Sequence, residues 1–407
     1  MNVISPVETF AEMRSDKRSL IDRVRVLLPE ITERADEIER GRTIPLDLIE
    51  KLQETGVFRM MLPSEFGGDE PSLPEISQVI EEIAYADASV AWTVVISGGL
   101  HGFTAGLPFK TLEKFYSENG RDVFAKAVAA PGGAAIPVEG GYRLTGRWPF
   151  ASGPRPFNWV VLGFTVKDGN GIRRFPDGRP DMRAALIPAS EIEMLETWDA
   201  VGLRGTRSDD ILCKDVFVPE DWQGQLFGES NLKGGSYKIP SQFKAAGSHG
   251  AIVRGLLRGA IDDIANSALT RRPAFNPSTL VKDDPTFQTR FGELAAKVDT
   301  VASIADMCLS MSQVCVDEVR GVTPVEGAKI GACTSLLHHE ATSIMDQLML
   351  LSGSAGLYAK NRIQRRWRDL RCLAQHQGAN ISAYVDYSKS LTAHAAAMAE
   401  AAVQRAA

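Results

Sequence analysis

The C-terminal half of the chain contains long stretches in which apolar residues recur at helical spacing with few helix breakers. They lie at residues 291–319, 325–351 and 382–407. Stretches of roughly 25 residues are much longer than β-strands, and helices of this length are typical of helix bundles. The pattern is helical from about residue 242 to the end. The sequence therefore predicts a C-terminal helical bundle.

The rest of the chain changes character once, near residue 121. Before that point, apolar residues recur at helical spacing, as at 20–31 and 76–83. After it come short β-branched or apolar runs bounded by Gly, Pro and Asp, a pattern typical of strands in a small barrel or sandwich. We therefore predict a helical domain at 1–120, a β-domain at 121–230 and the bundle at 231–407.

The composition excludes several functional classes. The 45 basic and 51 acidic residues give a net charge of −6, and no long basic run indicates a nucleic-acid partner. No run of about 18 apolar residues could span a membrane, and residues 1–14 lack the apolar core of a signal peptide. The five cysteines form no CxxC pair, which is typical of reduced thiols in a cytoplasmic protein.

Common catalytic and binding motifs are missing from the sequence. It contains no GxxxxGK(S/T) phosphate loop, no GxGxxG after a strand, no HExxH and no GxSxG nucleophile elbow. His338 and His339 are adjacent, but adjacent residues of a helix point about 100° apart and cannot share a metal ion on one face. We therefore expect no metal site, and neither nucleophilic nor metal-dependent hydrolysis.

Three segments combine aromatic, glycine and hydroxyl residues. They read YRLTGRWPFASG at 142–153, LETWDAVGLRGTRSDD at 195–210, and SGSAG at 352–356 followed by NRIQRRWRD at 361–369 and HQG at 376–378. In the first segment, the turn after a strand can bring backbone N–H groups and the Ser152 hydroxyl close to a planar ligand. Periodicity alone favours a plainer interpretation, an ordinary strand–loop–strand with a packed Trp148.

In their order and spacing, these segments resemble the acyl-CoA dehydrogenase superfamily. The resemblance covers nearly the whole chain and includes LQETGVF at 52–58 and LPSEFGG at 62–68. It implies an α+β fold with an N-terminal helical domain, a central β-barrel or sandwich and a C-terminal four-helix bundle. It also implies a flavin between the β-domain and the bundle, in a homotetramer.

The residues near the C-terminus decide between branches of that superfamily. The dehydrogenases carry Tyr-Glu-Gly-Thr, in which Glu removes a substrate proton, and the matching residues at 376–379 are HQGA. Gln377 has no basic lone pair for that task. Some members place the base on an earlier helix, but residues 243–258 contain no carboxylate. His376 is instead similar to the flavin-dependent monooxygenases of two-component systems, of the p-hydroxyphenylacetate hydroxylase, steroid-ring hydroxylase and dibenzothiophene monooxygenase types.

Further matches and departures accompany this branch. The segment WPFASG at 148–153 is similar to the branch's WxFSSG, and QRRWRD at 364–369 is similar to its LQRxWRD. Arg362 lies where the branch usually has Pro, and Arg207 replaces a Gly. Lys126 lies where some members place a substrate-binding Ser, which speaks against a simple phenol as substrate.

The resemblance implies a definite chemistry. Reduced FMN or FAD, with FMN slightly favoured, would react with O₂ to give a C4a-hydroperoxide that hydroxylates or otherwise oxygenates an aromatic or polycyclic small molecule. No nicotinamide-binding fold is visible, so a separate NAD(P)H:flavin reductase would supply the reduced flavin. An acyl-CoA dehydrogenase-like enzyme with a relocated base, an amino-sugar N-oxygenase and a flavin-free helical scaffold stay open as alternatives.

The same resemblance nominates the site residues. Ser152 is the candidate contact to flavin N5, and His376 is the candidate donor to the flavin peroxide. His101 is expected to contact substrate or peroxide and could deprotonate a phenolic group. Arg271 or Arg272 would reach the flavin of a neighbouring subunit. The expected cofactor-binding residues are Trp148, Phe150, Ser152, Gly153, Arg271, Gly353, Ser354, Gly356 and Gln377.

Overall fold

The computed structural model describes residues 18–63, 66, 68–119, 125–226, 228–232, 234–273 and 277–406. Its first part is helical, as the sequence predicts. The helices are α1 (Leu20–Arg25), α2 (Leu28–Glu33), α3 (Ala35–Gly41), α4 (Leu46–Thr55), α5 (Leu73–Ala86), α6 (Ala88–Thr104) and α7 (Phe109–Asn119). Helix α5 begins at a capping box formed by Ser72 and Glu75, which satisfies backbone N–H groups that the first turn leaves free.

The middle of the chain forms one eight-stranded mixed sheet. Its strands are β1 (Ala125–Val138), β2 (Gly141–Trp148), β3 (Trp159–Asp168), β4 (Gly171–Ile172), β5 (Met182–Pro188), β6 (Glu193–Leu195), β7 (Asp210–Pro219) and β8 (Gln223–Gln225). The strand order is β6-β7-β2-β1-β3-β5-β8, with β4 paired to β3. Strands β1 and β3 are parallel, and the other pairs are antiparallel.

The last part of the chain is helical again, which confirms the predicted three-part fold. Its helices are α8 (Gly235–Lys238), α9 (Ser241–Ala268), α10 (Pro285–Asp317), α11 (Pro324–Leu351), α12 (Arg362–Leu373) and α13 (Ala383–Ala406). Helix α11 packs against α9, α10 and α13, so the long helices form the predicted bundle. Within the described ranges, none of the helices is both long and apolar enough to cross a membrane.

A shared hydrophobic core joins the two helical parts. Helix α9 packs along α5, so that Ile252 and Leu256 belong to the same buried cluster as Ile80 and Ile83. A separate buried cluster fills the sheet and includes Trp148 and other residues of β2, β3 and β7. The strands lie between positions 125 and 225. The limits at 120/121 and 230/231 stay predictions.

Candidate active site

The loop that follows β2 places the predicted Ser152 against helix α6. Ser152 is buried, and the indole Nε1–H of Trp92 donates to its Oγ at 3.0 Å. The Ser152 Oγ lies 2.6 Å from the Oγ of Ser208, which lies 2.7 Å from the Oγ1 of Thr206. The Thr206 hydroxyl donates to the carbonyl of Leu203 at 2.8 Å. An indole and three hydroxyls thus form one hydrogen-bonded chain between α6 and the segment 203–208.

The two ends of this chain fix the direction of every hydrogen bond in it. A hydroxyl has one hydrogen and two lone pairs. Thr206 gives its hydrogen to Leu203, so it must accept from Ser208, and Ser208 in turn must accept from Ser152. The Ser152 hydroxyl therefore donates its only hydrogen to Ser208 and accepts a hydrogen bond from Trp92. One lone pair of the Ser152 oxygen is left, so towards a ligand Ser152 is an acceptor.

Lys126 on β1 holds the two backbone segments that carry these serines. It is fully buried, and its Nζ donates to the carbonyls of Ala151 at 3.0 Å, Gly153 at 3.1 Å and Arg207 at 3.0 Å. Three carbonyl acceptors match the three N–H donors of an ammonium group. Burial, followed by the nearby Arg155 guanidinium, lowers the pKa of Lys126 to about 7. The amine occupies the interior of the loop, where it braces Ser152 from both sides.

His376 lies on the other side of Trp92. The imidazole begins the short 3₁₀ turn Gln377–Ala379, and its Nδ1 accepts from the Gly378 N–H at 3.1 Å. The neutral ring therefore carries its proton on Nε2. Its centroid is 5.1 Å from the Trp92 ring, at an interplanar angle of 69°. Surrounding protein lowers the pKa of His376 by desolvation, although part of the side chain is open to solvent. Trp92 thus brings the two predicted catalytic residues, Ser152 and His376, into one site.

Two further histidines lie behind His376, and sequence reasoning missed both. The ring of His249 on α9 is 4.7 Å from that of His376, and its Nδ1 is 2.9 Å from the Nε2 of His338 on α11. His249 and His338 are both buried. Desolvation lowers the pKa of His249 well below its usual value and that of His338 to about 3. Both rings are therefore neutral at neutral pH.

No local sequence pattern marks this pair. His249 lies in the stretch 243–258, which contains no carboxylate. His338 is adjacent to His339, and the structure buries the first ring and exposes the second. Among the residues that the structure describes, no group of three or more His, Cys, Asp or Glu side chains is arranged to hold a metal ion.

Trp148, which we expected to contact the cofactor, lies in the core of the sheet. It is fully buried, and its Nε1–H donates to the carbonyl of Gly163 at 2.6 Å. A Cβ atom at Gly133 would stand 2.4 Å from the Trp148 ring, so this position needs a glycine to make room for the indole. The side chain therefore packs in the core, as the plainer interpretation predicts, and a contact of Trp148 with the cofactor stays a prediction. Trp148 fixes the end of β2 from which the Ser152 loop starts.

Phe150 presents its ring to solvent. The ring is 67% exposed and meets the edge of Trp198 at a centroid distance of 6.3 Å. Its φ of 62° lies in the left-handed region, which a bulky residue adopts only rarely. Strained conformations of this kind are concentrated at functional sites. An exposed aromatic ring two residues before Ser152 is well suited to a planar ligand.

Arg271, Gly353 and Gly356 form a second cluster at the C-terminal end of α11. The Arg271 guanidinium donates to the carbonyl of Leu351 at 2.7 Å and to that of Ser352. Gly353 has a φ of 62°, and a Cβ there would stand 3.1 Å from the Arg271 Nη1. A Cβ at Gly356 would collide with the Ser352 hydroxyl at 1.9 Å. Within this chain, Arg271 therefore provides hydrogen-bond donors to the carbonyl groups at the C-terminal end of α11.

The remaining predicted residues are exposed or lie outside the described part. Ser354 and Gln377 are exposed, and the Arg272 guanidinium donates to backbone carbonyls of its own loop. The backbone of His101 belongs to α6, but its side chain lies outside the described residues. The role of His101 stays a prediction.

Sequence comparisons match two profiles to the helical ends of the chain. One is described as acyl-CoA dehydrogenase, N-terminal domain, and matches residues 14–105. The other is described as acyl-CoA dehydrogenase, C-terminal domain, and matches residues 248–381. The oxygenase subunit HsaA of a flavin-dependent monooxygenase from Rhodococcus jostii (strain RHA1) is 31% identical over 365 residues, which cover 86% of this chain and 91% of HsaA. The chain belongs to the flavin-dependent monooxygenases of the acyl-CoA dehydrogenase family.

A second relative agrees with that placement, and a solved structure shows the same fold. Indole-3-acetate monooxygenase from Pseudomonas putida is 28% identical over 364 residues, which cover 86% of this chain and 88% of that protein. The structure of XiaF from Streptomyces sp., in complex with FADH2 and glycerol, superimposes with a TM-score of 0.84 at 23% identity. It covers 95% of this chain and 96% of XiaF, which shows the common fold.

Proposed function

We propose that the chain is the oxygenase component of a two-component monooxygenase that uses reduced flavin and O₂ to oxygenate an aromatic or polycyclic small molecule. The observation that carries this proposal is the pairing of Ser152 and His376 through Trp92. A dehydrogenase of this family needs a base, and Gln377 occupies the position of that base. The geometry therefore supports oxygen transfer better than acyl-CoA dehydrogenation.

The residues present fit a reduced flavin. The N5 atom of a reduced flavin carries a hydrogen, whereas N5 of the oxidised ring is a bare acceptor. Ser152 offers an acceptor lone pair because its hydrogen is committed to Ser208. The exposed Phe150 ring supplies an apolar surface beside it. When bound, the reduced flavin would supply the electrons that activate O₂.

The chain's own residues then have distinct tasks. Ser152 would accept a hydrogen bond from N5 and fix the position of the ring system. His376 carries a hydrogen on Nε2 and would donate it as a hydrogen bond to oxygen in the site. Because its pKa is lowered, His376 is a neutral donor at neutral pH. Trp92 holds the Ser152 hydroxyl and packs against the His376 ring, which keeps the two groups at a fixed separation.

We also propose the partners that this chemistry requires. A separate NAD(P)H:flavin reductase would deliver reduced FMN or FAD, in agreement with the name of HsaA as an oxygenase subunit. A homotetramer would allow the Arg271 cluster of one subunit to approach the flavin of another. The aromatic substrate is supported by relatives such as the indole-3-acetate monooxygenase. The five cysteines are free, which supports a cytoplasmic location.

An isotope experiment tests the proposal. The protein is supplied with chemically reduced FMN or FAD, ¹⁸O₂ and a panel of indoles, phenols and fused-ring aromatics. We expect a product that contains one ¹⁸O atom for each turnover. Product without the label would contradict the proposal. Acyl-CoA-dependent reduction of an artificial electron acceptor would replace it with the dehydrogenase alternative.

A further inference from the structure

The buried amine of Lys126 connects the two segments that shape the Ser152 site. Two of its three acceptors are the carbonyls of Ala151 and Gly153, the residues on either side of Ser152. The third is the carbonyl of Arg207, next to Ser208. One side chain therefore sets the relative position of the two serines whose hydroxyls lie 2.6 Å apart. Displacement of either segment would break a hydrogen bond to Lys126.

The charged groups around this amine do not cancel its charge. Arg155 and Arg207 approach the carboxylate of Asp209 at 3.3 Å and 2.8 Å. The Glu196 carboxylate lies 2.6 Å from the Arg207 guanidinium and 3.7 Å from that of Arg155. Two carboxylates thus pair with two guanidinium groups. In its protonated form, the amine of Lys126 is the excess positive charge, and only carbonyl dipoles surround it.

This arrangement suits one redox state of a flavin. Near neutral pH the reduced ring loses a proton at N1 and becomes an anion, whereas the oxidised ring is uncharged. A protonated amine beneath the loop would stabilise the anion and have little effect on the neutral ring, and a bound anion would in turn favour protonation of the amine. At the same time, the position of Ser152 that Lys126 maintains favours the N5–H of the reduced form.

We infer that Lys126 is a positioning residue that makes the site selective for reduced flavin, through its charge and through its clamp on the Ser152 and Ser208 segments. The inference rests on the proposed function, because it assigns to a residue of that site the choice between flavin redox states. A bound anion would be the counter-charge that the buried amine lacks within the chain, where only carbonyl groups accept its hydrogen bonds.

Equilibrium binding of FMN tests the inference. Dissociation constants are measured for oxidised FMN in air and for photoreduced FMN under anaerobic conditions. The proteins compared are wild type, Lys126→Gln, which retains N–H donors without charge, and Lys126→Met, which has neither. The control is Lys214→Met, because Lys214 is an exposed lysine of β7 that pairs with Glu193. Far-ultraviolet circular dichroism and thermal unfolding establish that each variant is folded.

We expect Lys126→Gln and Lys126→Met to weaken the binding of reduced FMN about tenfold more than that of oxidised FMN. A tenfold difference corresponds to about 1.4 kcal/mol, the order of magnitude of one charge–charge interaction that a protein environment partly screens. The Lys214→Met variant should keep the wild-type ratio. Equal weakening of both redox forms, or an unchanged ratio, would overturn the inference. Because binding is measured without O₂ turnover, this result is independent of the isotope experiment that tests the proposed function.

Discussion

Replacing Ser208 by Ala should narrow the preference of the site for reduced flavin. In the wild-type protein, the Ser152 hydrogen is committed to Ser208, because Thr206 and Leu203 fix the direction of the chain. Without the Ser208 hydroxyl, the Ser152 hydrogen is free to point at the ligand. Ser152 can then donate to N5 of oxidised flavin, while a reduced ring leaves that hydrogen without an acceptor.

The size of this effect follows from the number of hydrogen bonds that change. Oxidised flavin gains one hydrogen bond, and the complex with reduced flavin contains one unpaired buried hydroxyl. A net hydrogen bond contributes about 0.5–1.5 kcal/mol, and an unsatisfied buried group costs about 1–3 kcal/mol. A combined shift of about 1.4 kcal/mol, near the lower end of this sum, corresponds to about a tenfold change in the affinity ratio. The dissociation constant of oxidised flavin divided by that of reduced flavin should therefore fall by about tenfold or more.

Equilibrium dialysis with FMN and FAD, anaerobic and aerobic, measures that ratio. Ser303→Ala is a matched control, because Ser303 is exposed on α10 and its hydroxyl donates only to the carbonyl of Asp299. The control should retain the wild-type ratio. If Ser208→Ala leaves the ratio unchanged or increases the preference for reduced flavin, the hydrogen-bond direction deduced for this chain is wrong.

Three other perturbations have defined outcomes. The pKa of His338 is lowered to about 3, so its contribution to stability is complete above pH 6.5 and should fall by about 1.4 kcal/mol per pH unit below it. In urea unfolding, the difference in unfolding free energy between wild type and His338→Gln should therefore decrease from pH 6.5 to pH 4, and a constant difference would contradict this. Arg271→Ala removes two hydrogen bonds to the end of α11 and should cost about 1–3 kcal/mol of unfolding free energy, whereas an unchanged denaturation midpoint would refute that role. Gln377→Glu should not confer acyl-CoA-dependent dye reduction, and measurable dye reduction would show that the site retains dehydrogenase geometry.

The elements that the sequence predicted well are those with strong local patterns. Helices α10 and α11 follow directly from long apolar periodicity with few breakers, and the change to strands near residue 121 follows from short β-branched runs. Ser152 and His376 could be nominated because each lies in a recognisable motif. The structure adds that Trp92, which no motif singled out, connects them.

Contacts between distant parts of the chain could not be predicted in the same way. Ser208 meets Ser152 only after β7 has been folded against β2, and His249 meets His338 only when α9 packs on α11. The position of Lys126 in the sequence does not show the direction of its side chain, because that direction depends on the loop after β2. Trp148 lies in a motif that suggests a ligand contact, and the structure shows its side chain buried in the core of the sheet.

The ratio of oxygenated product to H₂O₂ per reduced flavin consumed tests the central claim most directly. Wild-type protein should couple most of the flavin oxidation to product. Removal of one polar contact to the reacting oxygen typically costs roughly 10²-fold in rate, so His376→Ala should bind flavin normally but release mainly H₂O₂. Gln377→Ala, one residue away, should stay close to wild type. A His376→Ala variant that retains the wild-type ratio would contradict the assignment of His376 and with it the account of the site.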